Sequence, residues 1–217
     1  TAANLALLKA AIRDECGYVP SSKSVWKDLQ DCSISRNVWV FLWKGIHGGH
    51  KIGDYFRAMP EPWRGKGMCP SCGVVESMEH ILFVCPDSGQ EVIWGLVKNF
   101  LARKKLDIDV NMGLVWGSAS FRAIYAPNTD SVSRAFRIVV SESAFLAWKI
   151  RCERRIEHGD DVEWRLDDDA VQTRWQDAMK KRVCQDYRLL NRRIYGRFAV
   201  KRYVVKETWA DLFDETA

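Results

Sequence analysis

The chain has 217 residues, 47% of them hydrophobic and 28% charged, with a formal net charge of +5. That composition excludes wholesale disorder, and the length suffices for one sizeable core or two small ones. No run reaches the length of a membrane span, and no basic-then-apolar stretch opens the chain as a signal peptide would.

A start at Thr1 is expected of a piece of a larger protein. Residues 4–15 read as a short amphipathic helix, with Leu5, Leu8 and Ile12 on one side and Gly17 ending it. Ser24 opens a segment whose Trp26 and Leu29 suit one helical turn. Ser35 suits the N-cap of the next helix. There Val38, Trp39, Phe41, Leu42, Trp43 and Ile46 leave little polar surface, so burial is expected nearly all round. Gly48 and Gly49 break it, and a second short helix is expected over 51–59, ended by Pro60 and Pro62.

Residues 69–85, Cys-Pro-Ser-Cys-Gly-Val-Val-Glu-Ser-Met-Glu-His-Ile-Leu-Phe-Val-Cys, carry the clearest chemistry. Cys69 and Cys72 have the spacing at which a tight turn presents both sulfurs to one ion, and Gly73 suits the positive φ of such a turn. Ser77 can cap a short helix with His80 at its third position, and Cys85 falls at its end, before Pro86. Two ligands from a turn and two from a helix make a closed tetrahedral site for Zn2+, with no position for a catalytic water. The competing readings are buried thiols with an ordinary helix histidine, and a redox Cys-x-x-Cys pair; no βαβ pattern favours the latter. His47 and His50, in the Gly-rich turn upstream, are alternatives to His80. Cys16, Cys32, Cys152 and Cys184 are scattered, which fits a reducing compartment, nucleus or cytoplasm, better than a disulfide framework.

Ser88 can cap a helix holding Val92 to Leu101. Residues 106–130 have scattered Gly, Asn and Pro and read as a linker between 1–105 and 131–217, with short strands expected at 106–110 and 114–116. The most regular helix follows over 133–157. Within it Ser141 and Ser143 are expected to back-bond to the preceding turn and Glu142 to face solvent or pair with an Arg. An acidic loop over 159–168 leads to Asp167, Asp168 and Asp169, which fit a capped helix start rather than a magnesium site. A long helix is then expected over 170–195, with Trp175, Met179, Val183, Tyr187, Leu190 and Ile194 as one apolar stripe. Gly196 breaks it, a shorter segment carries Val205 and Trp209, and 207–217 turns acidic. The fold expected is mainly α, a zinc-stabilised helical domain with a Cys-Cys-His-Cys knuckle.

The near-neutral average hides a basic segment. Between Arg174 and Lys206 lie Lys180, Lys181, Arg182, Arg188, Arg192, Arg193, Arg197, Lys201 and Arg202, opposed only by Asp177 and Asp186.

The motifs, in order, are Val25-Trp26-Lys27, Phe41-Leu42-Trp43, Cys69-Pro-Ser-Cys72-Gly73, Glu76-Ser-Met-Glu-His80, Cys85-Pro86 and Trp94. Together they resemble the zinc-binding module that follows the polymerase or RNase H region in non-LTR retrotransposon proteins. The segment 141–155, Arg174-Trp175 and Tyr195-Gly196 are similar to the helical tail of the version abundant in mushroom-forming fungi. The resemblance implies a retroelement-derived protein with Cys69, Cys72, His80 and Cys85 as zinc ligands, engaged with nucleic acid beside reverse transcription. No Asp-Asp pair in a polymerase-like strand, and no spaced acidic set of the RNase H kind, occurs in the chain.

The expected function is therefore RNA or DNA binding, mainly through phosphates, and not catalysis. The contact residues expected are Lys180, Lys181, Arg182, Arg188, Arg192, Arg193, Arg197, Lys201 and Arg202, with Tyr187, Tyr195 and Tyr203 stacking on bases. The alternative is a protein-interaction or scaffold domain whose zinc is purely structural and whose basic helix meets an acidic partner.

Overall fold

The computed structural model describes residues 1–124, 128–159, 161 and 163–212, apart from the Phe198 side chain. Among them, the chain is mainly helical, and β structure amounts to one bridge between Met68 and Val75. Asp160, in the expected acidic loop, lies outside the described residues, as do 125–127 of the linker and 213–217 of the acidic end.

The first helix, α1 (Ala2–Cys16), ends on Gly17 at φ 69°, where the missing side chain permits a left-handed cap. In α2 (Ser22–Asp28) the cap is Ser21, whose Oγ accepts from Ser24 N at 3.0 Å. The aromatic helix α3 (Arg36–His47) buries Val38, Phe41, Leu42 and Ile46. It is not buried all round: Trp43 stands 40% exposed. The expected helix over 51–59 shrinks to α4 (Asp54–Arg57). Helix α5 (Gln90–Arg103) starts after Gly89, because Ser88 Oγ donates to Cys85 O at 2.8 Å instead of capping.

The strands expected near 106–116 do not form. Residues 106–111 have no regular structure, and α6 (Met112–Gly117) is a helix capped by Asn111, whose Oδ1 accepts from Leu114 N at 3.0 Å. A cap and a close-packed neighbour outweigh the strand preference of Val115 and Trp116. Gly113 and Gly117 let α6 lie directly on α1, since a Cβ on either would come within 2.7 and 2.9 Å of Ala11 and Ile12. Ile108, Leu114, Val115, Trp116 and Phe121 share one apolar core with Leu8 and Val139, on either side of them in the chain.

The centre of that core is α7 (Thr129–Ile156), about 42 Å long at ~1.5 Å per residue. Its buried Ala135, Ala144, Ala147, Ser141 and Ser143 let neighbours approach closely, and α3, α5, α8 and α10 all pack on it. Ser141 Oγ bonds back to Ile138 O at 3.3 Å, as expected, while Ser143 Oγ instead accepts from Trp175 Nε1 at 2.8 Å.

Asp167 caps α8 (Asp168–Arg188), its carboxylate accepting from Ala170 N at 2.7 Å. The helix does not run on to 195. Asn191 accepts from Arg193 N at 3.0 Å and starts the separate turn α9 (Arg192–Tyr195). The inward stripe is Val171, Trp175, Met179, Arg182 and Asp186, at helical spacing. Tyr187 and Ile194 are therefore outside it, 54% and 71% exposed. Last comes α10 (Arg202–Trp209), which packs on α7 and α8.

Candidate metal centre and basic surface

The knuckle begins as a tight loop. Cys69 N donates to Val74 O at 2.8 Å and Gly73 N to Cys69 O at 2.9 Å, with Gly73 at φ 67°. Glu76 N donates to Gly67 O at 3.0 Å and closes its base. Ser77 then caps the next turn as its position predicts: Oγ accepts from His80 N at 3.0 Å.

The turn so capped is not an ordinary α-turn. Residues His80–Val84 form a π-helical turn, closed by Cys85 N donating to His80 O at 2.7 Å. In an α-helix, five residues of ~100° each would put Cys85 about 140° round from His80. The wider turn reduces that angle and lets both side chains face the Cys69 loop. Trp94 secures it: Pro86 has no N–H to offer Leu82 O, and Trp94 Nε1 donates there at 2.6 Å, its ring stacked on Phe83.

One donor atom each from Cys69, Cys72, His80 and Cys85 falls within 4.8 Å of the others. Cys69 Sγ and Cys85 Sγ are 3.8 Å apart. A disulfide would need about 2.05 Å, whereas the edge of a tetrahedron with ~2.3 Å metal–sulfur bonds is about 3.8 Å. His80 Nε2 is buried with no hydrogen-bond partner, an orphan that a metal ion would satisfy. Burial pushes the Cys85 thiol up to about 12 and raises Cys72 as well. Only a cation among them would hold these sulfurs as thiolates. The residues fit a metal ion.

Arginines from the last turns of α7 bind this knuckle to the core. Arg151 donates through Nε to Glu76 at 2.8 Å, and its Nη2 reaches the other carboxylate oxygen. Arg154, almost fully buried, bonds Ser71 inside the Cys69 loop and Asp87 just beyond Cys85. Arg155 Nη1 donates to Met68 O at 3.1 Å. Sequence reasoning missed this clamp, although a run of basic residues near a helix C-terminus was visible.

Neither alternative histidine reaches the cluster. The His47 ring lies on Trp43 with Nδ1 2.8 Å from Trp43 O, and His50 Nε2 is 3.0 Å from Phe41 O. Glu142 lies against Arg182, Oε1 3.4 Å from its Nε, and accepts from Ser35 Oγ at 2.9 Å. It is a paired, largely buried acid whose proton affinity is raised by desolvation.

The structure separates the expected basic residues. Arg182 is not on the surface: it is buried on the α8 stripe, donating to Ser33 O at 2.6 Å and to Gln185 Oε1 at 2.6 Å. Lys180, Lys181, Arg188, Arg192, Arg193, Arg197, Lys201 and Arg202 are exposed. Asp186, read from sequence as one of their two counter-charges, turns inward to Arg134 and Trp209. Asp177 stays outside, 4.0 Å from Lys180. Tyr203 is 62% exposed, with Lys201 Nζ over its ring, while Tyr195 is half-buried.

No family model, curated protein or solved structure matches the chain. What fold and site define is a mainly helical protein with a Cys-Cys-His-Cys cluster that could hold a metal ion.

Proposed function

We propose that the cluster holds a structural Zn2+ and that the chain is a nucleic-acid-binding module of retroelement origin, engaging RNA or DNA mainly through phosphates. Three thiolates and one imidazole are the donor set that zinc favours, and four protein donors leave no position for a catalytic water. The reading therefore assigns the ion no catalysis. Cys69, Cys72, His80 and Cys85 would hold it, and bound there it would supply local folding energy.

The observation that carries the binding assignment is the exposed cationic end of the molecule. Arg188, Arg192, Arg193, Lys201 and Arg202 are exposed together with Tyr187 and Tyr203, while the nearby Asp186 is spent on Arg134. Cations on phosphates release counterions, and exposed tyrosines can stack on unpaired bases. The test is an electrophoretic shift of RNA and duplex DNA across a salt series. Charge reversal at Arg192, Arg193 and Arg197 is expected to weaken binding about tenfold or more and to flatten the salt slope; unchanged affinity would defeat the assignment.

One observation favours a second reading, a protein-interaction module with the same structural ion. Ile194 is 71% exposed and follows the exposed Arg192 and Arg193 in the same turn, and an apolar side chain beside positive charge suits an acidic, partly apolar protein surface. No shift at low salt would favour it.

A further inference from the structure

A cleft of about 410 Å3 opens at the other end of α7, between its last turns, the loop after α3 and the turn that leads into the knuckle. That volume falls in the ordinary range for small-ligand sites. His50 and Trp148 line it with ring centroids 4.6 Å apart. Burial brings the His50 imidazole down to about 4, so the ring itself is uncharged at neutral pH, while the Arg151 guanidinium lies 5.2 Å from the Trp148 ring centroid. Trp63 and Ile156 also line the cleft, yet are 54% and 75% exposed. Among the described residues Trp63 has no ring against its own. Lys44 and Lys51, both exposed, add positive charge, and no carboxylate lines the cleft among the described residues.

A ligand matching this cleft has an apolar, flat face and a negatively charged margin. An acidic peptide would answer the lysines and would cover the indole of Trp63 only with a further apolar side chain at the right spacing. An unpaired nucleotide answers both, because every base has a π-face and carries phosphates beside it. We propose that the cleft binds an unpaired nucleotide of a single strand, its base against Trp63 and its phosphates on Lys44 and Lys51. The site is distinct from the cationic end. Arg134, which holds α8, and Arg155 beside the cleft lie about 30 Å apart along α7 at ~1.5 Å per residue.

The test is fluorescence anisotropy of the whole chain with a labelled single strand of about ten nucleotides and with the matching duplex. Trp63→Ala is expected to weaken single-strand binding about tenfold and leave duplex binding, metal content and melting unchanged. Trp63→Phe, which keeps a flat ring, should stay within about threefold. Lys44→Glu with Lys51→Glu should weaken the strand about tenfold and lower its salt slope. Wild-type single-strand affinity in Trp63→Ala would overturn the proposal, as would a wild-type chain that binds no strand. A nucleoside monophosphate that binds as tightly as the strand would also overturn it, since the cleft would then serve free nucleotides. Charge reversal at Arg192 and Arg193 should weaken strand and duplex alike, so failure of the cationic surface is read separately.

Discussion

Asp186 is a carboxylate with no solvent exposure, accepting from both arms of Arg134 at 2.6 and 2.8 Å and from Trp209 Nε1 at 2.6 Å. Such a pair need not stabilise the fold against an apolar replacement of both partners, but removing one strands the other. Asp186→Ala leaves the buried Arg134 guanidinium without its counter-charge, with only the long 3.4 Å bond to Thr208 Oγ1, and the Trp209 indole N–H without an acceptor, and is expected to cost about 3–5 kcal/mol in urea unfolding. A loss below about 1 kcal/mol would mean that water reaches Arg134. His50 makes a pH-dependent contribution. Burial holds it near 4 in the fold against 6.5 in the free side chain, with Lys44 and Arg151 also opposing its protonation. The unfolded chain therefore takes up a proton first, and stability present above about pH 6.5 is lost as pH falls towards 4, by up to ~1.4 kcal/mol per unit. In His50→Phe this share of the acid sensitivity should vanish. Acid release of a metal would affect both proteins alike, so the difference between their stability–pH curves isolates His50.

Among the elements, the knuckle and α7 depend on each other. Arg154 ties Ser71, between the first two cysteines, to Asp87, just after the last. Such outer support keeps ligands oriented. Arg154→Met is expected to lower metal affinity about tenfold or more, measured by competition with a chromophoric chelator; an unchanged competition curve would show that the four ligands hold their geometry alone. This dependence marks the limit of what sequence could show. The four clustered side chains, Gly73 and the Ser77 cap were legible because their chemistry is local: spacing, a positive φ and a side chain three residues from the amide it caps. The arginine clamp was not, since its partners lie far along the chain, and neither was the π-turn, which depends on the Trp94 indole standing in for the amide that Pro86 lacks. In α8 the apolar period was followed too far. The inward stripe passes from Trp175 and Met179 to Arg182 and Asp186, which are tolerated there because Glu142 and Arg134 face them. A rule that places charge outside could not find a stripe that turns polar halfway.

Across the whole molecule, Ile81 and Leu82 of the π-turn belong to the same core as Leu8, Val139 and Val205. A metal ion at the cluster would therefore stabilise more than its own loop. Without it, Cys69, Cys72 and Cys85 have only thiol contacts, and the segment 49–94 keeps the arginine clamp, the His50–Trp148 ring contact and the packing of Ile81, Leu82 and Ile93 among its ties to the core. Chelation, or Cys72→Ser, is expected to open 49–94 first, while α1 and α6, packed on each other away from the knuckle, stay protected. Structural zinc sites can contribute several kcal/mol or more, so the melting temperature of the entire chain should also fall, in one transition rather than two. Hydrogen exchange read by mass spectrometry, with and without chelator, checks both parts. Fast exchange confined to 49–94 alongside a single lowered melt is the expected pattern. Unchanged protection over 69–85 would show that no ion stabilises the knuckle, and two separate melts would show that the halves on either side of 106–130 do not unfold as one body.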